Sequence, residues 1–269
     1  MQHAHGKGII HRDLKPGNIL VAPGETVPEA KVIDFGIAKA MSGRLTDQTI
    51  VTEQFMMIGT PAYMSPEQAE GSLDIDTRTD IYSLGVVLYE LLTGSTPFDT
   101  KAVRAGSLGD LQRAIREFDP ERPSTRVSKS GETVTAVAKG RGTDVKRLMA
   151  RIRGELDWIA LKALEKDRLR RYETANALAM DVRRYLAGDA VLAVPPTTAY
   201  KVAKFMRRQS FARILWRSGA TGLEDGDVAG AIPELEEAVT TAEKLLDPGS
   251  PLLKKYRDTL AKAKALPGK

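Results

Sequence analysis

The sequence predicts a mainly α-helical protein with one small β-hairpin near its start and a separate helical tail. Three observations carry that reading. Two short β-rich runs flank a Pro-Gly segment within the first 33 residues. From Asp80 onward, apolar residues recur at helical spacing. Pro195-Pro196 then interrupts the spacing before more helices follow.

The runs Ile19-Leu20-Val21 and Lys31-Val32-Ile33 read as strands, and Pro23-Gly24 and Pro28 between them read as a turn. A hairpin there sets Asn18 just before one strand and Asp34 just after the other. Residues 37–64 have neither period and read as a long loop. Ser65-Pro66-Glu67 opens a helical stretch. Residues 80–92 are apolar at most positions and stop at Gly94, which reads as a buried central helix. Ser83, Gly85 and Glu90 interrupt its apolar run, which falls short of the ~18–20 residues of a membrane span. From about 106 to 154 the chain turns polar. Arg122-Pro123-Ser124-Thr125 and Ser128-Lys129-Ser130-Gly131 read as loop, with helix around 143–153. Residues 156–164 and 174–186 read as amphipathic helices, the second stopped by Gly188. Beyond the double proline, 211–223, 228–246 and 252–266 read as three helices, separated by Glu224-Asp225-Gly226 and Asp247-Pro248-Gly249.

At 269 residues the chain has room for one large domain or two modest ones. With no cysteine, disulfides and thiolate metal sites are excluded. Polar residues rather than an apolar leader follow Met1, so a cytoplasmic protein is expected. The net charge of +5 is concentrated at 141–171 and 201–217. Charge runs of this kind read as solvated helical faces, so no nucleic-acid site is expected.

The chemistry lies in His11-Arg12-Asp13-Leu14-Lys15-Pro16-Gly17-Asn18, followed sixteen residues after Asn18 by Asp34-Phe35-Gly36. These runs supply a candidate base (Asp13), a neutral metal ligand (Asn18) and an anionic metal ligand (Asp34). Phosphoryl transfer from ATP needs that set: a carboxylate to orient the attacking hydroxyl, and hard oxygen ligands for Mg²⁺.

With Gly59-Thr60-Pro61-Ala62-Tyr63-Met64-Ser65-Pro66-Glu67, Asp80-Ile81-Tyr82-Ser83-Leu84-Gly85 and Lys166-Asp167-Arg168-Leu169-Arg170-Arg171-Tyr172, the sequence resembles the bacterial eukaryotic-type (Hanks-type) protein serine/threonine kinases. The resemblance covers about residues 1–187 and implies the large, C-terminal lobe of the kinase fold, with a family insertion at about 106–154. Residues 188–210 would be a basic, Pro-containing linker and 211–269 a helical tail. Within that tail Ala231-Ile232, Leu235, Ala238 and Val239 are similar to the second helix of a tetratricopeptide repeat. About one repeat is covered, where such units stack in threes. A helical tail packed on the lobe is the alternative, and either form could receive a protein partner.

The resemblance also implies roles. Asp13 would be the base, and Lys15 would offset charge on the transferred phosphoryl group. Asn18 and Asp34 would hold Mg²⁺, with Leu20 the floor under adenine. Thr60 would contact Asp13 and Lys15, and residues 59–67 would position the substrate peptide. His11 and Phe35 would pack in a hydrophobic column. Asp80 would hold the catalytic-loop backbone, and Glu67 would pair with Arg171. Arg12 would await a phosphate on Thr46, Thr49 or Thr52. ATP and Mg²⁺ are the implied cofactors, and a protein bearing a Ser or Thr hydroxyl is the implied substrate.

Only ten residues precede His11, so the N-terminal lobe, with its Gly-rich loop, strand lysine and helix glutamate, is expected to be missing. Two readings follow: a serine/threonine kinase lobe acting in signalling, or a catalytically incomplete fragment serving as a protein-binding module. On either, the isolated chain is expected to be weak or inactive, with apolar surface on Val86 and Leu88 exposed.

Overall fold

The structure is a computed structural model that describes residues 1–24, 28–35, 61–98, 107–129, 131–195 and 198–266. It divides into two units, Met1–Tyr185 and Leu186–Lys269.

The first unit opens with a single helical turn, α1 (Gln2–His5), and reaches β1 (Ile19–Ala22) through a 3₁₀ turn at Pro16–Asn18. β1 pairs antiparallel with β2 (Glu29–Val32), in a register that sets Ile19 opposite Val32. The Ile33 amide continues the ladder to the Asn18 carbonyl at 3.0 Å. Asn18 and Asp34 therefore flank the same end of the hairpin, and the local sequence is sufficient to put them there.

Helices make up the rest. α2 (Pro66–Ala69) starts at a capping box: Ser65 Oγ accepts from the Gln68 amide and Gln68 Oε1 accepts from the Ser65 amide. α3 (Arg78–Thr93) is the central helix and ends at Gly94 in the left-handed region. Then come α4 (Leu108–Glu117), α5 (Pro123–Lys129), α6 (Gly131–Gly140), α7 (Val145–Ile152), α8 (Glu155–Ala163) and α9 (Ala175–Leu186). Tyr82, Val86 and Tyr89 of α3 pack with Ala69, Phe98, Ala114, Ile115 and Leu164 to form the core. Gly85 lets α3 approach α8, since a Cβ there would sit 2.7 Å from that of Ala163.

Two expectations fail in this unit. Residues 122–125 and 128–131 were expected to be loop, yet α5 covers most of the first run and α6 begins within the second. Pro123 suits a first helical position, where its missing N–H costs nothing, and Val127 is 1% exposed, so packing overrides the polar composition. Val86 was expected to be exposed but is fully buried, because its side of α3 faces α2 and α4. The open stripe lies on the other side of the helix: Leu84 and Leu88 are half-buried and Leu91 is 62% exposed.

The second unit holds α10 (Thr198–Glu224), α11 (Val228–Glu243) and α12 (Pro251–Ala265). Its core joins Ala212, Ala238, Val239, Ala242, Leu253 and Tyr256, and Trp216 stacks on Tyr256 at 5.4 Å. The first helix starts at Thr198 rather than at 211, so most of the span read as linker is helical. Residues 201–209 carry no Pro or Gly to stop it. Of the positions similar to a tetratricopeptide repeat, Ala231, Leu235, Ala238 and Val239 are buried and Ile232 is half-buried. Among the described residues no helix is long and apolar enough to cross a membrane.

Candidate active site

The loop from His11 to Asn18 is shaped by one buried carboxylate. Asp80, fully buried in the first turn of α3, accepts from the His11 amide at 2.8 Å and the Arg12 amide at 2.9 Å. It also accepts from His5 Nε2 at 2.7 Å. Arg12 sits at φ 66°, a left-handed conformation costly for a residue with a Cβ. Its amide is tied to Asp80, and its carbonyl accepts from Gln68 Nε2 at 2.8 Å, so two helices hold the strained residue in place. Asp34 shares the left-handed region, at φ 56°.

His11 is fully buried and bonded at both ring nitrogens. The Asp13 amide donates to Nδ1 at 3.3 Å, and the Ile33 carbonyl lies 2.9 Å from Nε2. A carbonyl only accepts and an amide N–H only donates, so the ring proton is assigned to Nε2. The ring lies 4.8 Å from that of Phe35, linking the loop to the segment after β2.

Asp13, Lys15 and Asn18 converge. Lys15 Nζ lies 3.0 Å from Asp13 Oδ2. Asn18, 7% exposed, directs Nδ2 to the Asp13 carbonyl at 2.8 Å and to Oδ2 at 3.4 Å. With its amide nitrogen committed, Asn18 has its Oδ1 left to accept. Asp34 is exposed, and no ion pair is formed by its carboxylate among the described residues. An amide oxygen and a carboxylate are the hard donors Mg²⁺ takes, so the residues present fit that ion. Leu20 is 53% exposed on the hairpin.

Glu67 and Arg171 form a buried bidentate pair, with Nη1 to Oε1 and Nη2 to Oε2 both at 2.8 Å. Every N–H of the guanidinium is used. Nε donates to the Glu165 carbonyl at 2.7 Å, Nη1 to Arg78 at 3.1 Å and Nη2 to Lys166 at 3.0 Å. Thr79 Oγ1 adds a bond to Glu67 at 2.6 Å. Burial alone would raise the Glu67 pKa, but the Arg171 and Thr79 bonds outweigh it and hold the carboxyl at about 2. The pair joins the segment after residue 60 to α3 and to the turn before α9, outside the cluster around Asp13.

Thr46, Thr49, Thr52 and Thr60 lie outside the described residues, as does Gly59 of the 59–67 run. Sequence reasoning missed His5, Gln68 and Thr79. Gln68 was legible, as the fourth residue of the Ser65-Pro66-Glu67-Gln68 capping signature. His5 and Thr79 announce nothing locally, since their roles depend on Asp80 and Glu67 arriving from elsewhere in the chain.

Over residues 1–181 the chain matches the protein kinase domain family. It is 38% identical over 201 residues to the serine/threonine-protein kinase pkn3 of Myxococcus xanthus, covering 73% of this chain and 34% of that protein. It is 39% identical over 189 residues to the serine/threonine-protein kinase PknB of Mycobacterium leprae, covering 70% and 25%. Against the probable serine/threonine-protein kinase PknB of Lactococcus lactis, identity is 43% over 152 residues, covering 55% and 23%. The chain thus spans about a quarter to a third of the length of these curated relatives. A shared sequence of that extent, on a loop with Asp13, Lys15 and Asn18 drawn together, makes this chain a member of the protein kinase family, on its bacterial Hanks-type serine/threonine branch.

Proposed function

We propose that the chain carries the phosphotransfer centre of a protein serine/threonine kinase, moving the γ-phosphoryl group of ATP to a Ser or Thr hydroxyl of a protein substrate. The observation that carries this reading is the convergence of Lys15 and Asn18 on Asp13, on a loop held by Asp80. Asp13 orients the acceptor hydroxyl and takes its proton as the oxygen attacks phosphorus. Lys15, already beside that carboxylate, offsets negative charge on the transferred group. Asn18 and Asp34 would hold Mg²⁺, which neutralises charge on the ATP phosphates when bound. Thr60 completes the contact with Asp13 and Lys15, and Leu20 lies under the adenine. Arg12 receives a phosphate on Thr46, Thr49 or Thr52, ordering the loop that carries them. Signalling inside the cytoplasm is the setting this reading implies.

One observation favours a second reading for the chain as it stands. Leu20 is 53% exposed, so the described residues leave the face it would present to adenine open. A chain open there transfers phosphate weakly and serves as a protein-binding module until a Gly-rich small lobe covers the hairpin. Incubating the full chain with radiolabelled ATP, Mg²⁺ and a generic protein acceptor tests both, with and without a kinase small lobe supplied in trans. Asp13→Asn should lose roughly 10²-fold or more in rate, the scale of a positioned acid–base group. Equal turnover by wild type and Asp13→Asn would overturn the catalytic assignment. Full activity of the chain alone would overturn the second reading.

A further inference from the structure

Away from the loop around Asp13, the first unit holds a cavity of about 460 Å³ between α5, α7 and the start of α8. That volume is within the range of small-ligand sites, roughly 300–1,000 Å³. Arg122 and Arg153 line it. Among the described residues neither guanidinium is paired with a carboxylate. Glu121, the acid next to Arg122, is already engaged by Lys129 and Arg126. Arg122 lies over the Trp158 ring at 5.8 Å, which orients its planar donor edge.

The one carboxylate in the lining, Asp157, is spent on the fold. It is 4% exposed and accepts from the Ser124 amide at 2.8 Å, Ser124 Oγ at 2.7 Å and the Gly154 amide at 3.1 Å. Those bonds tie α5 to α8 and occupy its oxygens, so its charge is a cost that the two guanidiniums have to outweigh. Ser124 and Ser128 have likewise given up their protons, to Asp157 and to the Thr125 carbonyl. Thr125 Oγ1 makes no such bond among the described residues, so it remains a donor. What faces the cavity, among the described residues, is two guanidiniums without a carboxylate partner and one hydroxyl. Met149 and the half-exposed face of Trp158 add an apolar wall for the atoms that carry the anion.

We propose that this cavity binds a phosphomonoester dianion, gripped by Arg122 and Arg153 with Thr125 as third donor. Paired guanidiniums match the oxygens of a phosphoryl group in charge and in bidentate geometry. The group could arrive on a phosphorylated peptide or as a free phosphate, and both present the same chemistry to these donors.

The sequence has two tryptophans, so Trp216→Phe leaves Trp158 as the only reporter. In that background, Trp158 emission would be titrated with a short phosphoserine peptide, with the same peptide unphosphorylated, and with inorganic phosphate. A saturable change with the phosphopeptide but not its unphosphorylated form names a peptide source, and one with inorganic phosphate alone names a free source. In either case Arg153→Gln and Arg122→Gln should each weaken binding about tenfold or more, the loss of a charge-assisted bond. Both arginines are exposed, so a melting temperature close to wild type would show that the fold is intact. Asp13→Asn should bind as the parent does, which separates this proposal from the kinase reading. No saturable change with any probe up to millimolar concentration would overturn it, as would a change that survives both arginine substitutions.

Discussion

Removing Arg171 should be among the most damaging single changes in the first unit. Arg171→Ala strands the Glu67 carboxylate, whose side chain is 11% exposed, with only Thr79 left as a side-chain partner. It also unpairs the carbonyls of Glu165, Lys166 and Arg78. Breaking a buried ion pair from one side costs about 3–5 kcal/mol, a large part of the ~5–15 kcal/mol that holds a domain together. The proton linkage gives an independent figure. Glu67 titrates at about 2 in the fold against an ordinary 4.5. At ~1.4 kcal/mol per pH unit, that gap contributes on the order of 3 kcal/mol. Because the folded pKa is depressed, this stability is complete above about pH 4.5 and disappears as the pH falls toward 2. The assay is urea unfolding followed by Trp158 emission in a Trp216→Phe background, from pH 7 down to pH 3. Arg171→Ala should lower the unfolding free energy by about 3–5 kcal/mol at pH 7. The gap between wild type and Glu67→Gln should narrow as the pH drops from 5 to 3. A loss under ~1 kcal/mol in Arg171→Ala, the scale of a surface pair, would refute the reasoning. So would a gap that stays constant across that pH range.

Gly85→Ala should destabilise the same unit by about 1–3 kcal/mol in the same unfolding assay, because the new Cβ meets Ala163 at 2.7 Å and forces α3 from α8. Gly109→Ala in α4, whose nearest neighbour would lie at an ordinary 3.5 Å, should instead be neutral or stabilising by up to ~1 kcal/mol. Asp80→Asn replaces one accepting oxygen with a donor facing backbone amides, so it should cost about 1–3 kcal/mol and release Arg12 from φ 66°, read as faster amide exchange at His11 and Arg12. In the second unit, Gly219→Ala would drive a Cβ to 2.7 Å from Leu235 Cγ and 3.0 Å from the Ala231 carbonyl, and Trp216 emission should report unfolding at lower urea.

Much of the site was legible because its signals are local. Two short strands around a turn fix where Asn18 and Asp34 fall, and the Ser65 capping signature fixes where α2 begins. The spacing within residues 11–18 brings Lys15 and Asn18 onto Asp13 over at most five residues. The pairing of Glu67 with Arg171 spans 104 residues. No periodicity reaches that far, and only the resemblance to kinases brought those two residues together in advance. Composition misled where packing outweighed it. The polar run at 123–129 folds into helix because Val127 and Pro123 are buried, and α10 runs on through a stretch whose charges resemble a linker.

By itself, the sequence determined the order of the chemistry-bearing groups, the hairpin that flanks two of them, and the helices wherever apolar residues recur at the right period. These depend on neighbours within a few positions, whose preferences are set before any long-range contact forms. Only the tertiary structure decided that Asp80 accepts from His5 as well as from the loop, and that Val86 rather than Leu91 is the buried face of α3. It alone decided, too, that Arg122 and Arg153 share a cavity with Asp157, whose carboxylate is hydrogen-bonded to Ser124. Each of these depends on which segment arrives opposite which, and a buried polar atom takes its partner from whatever lies within hydrogen-bond reach in space, however distant it is along the chain.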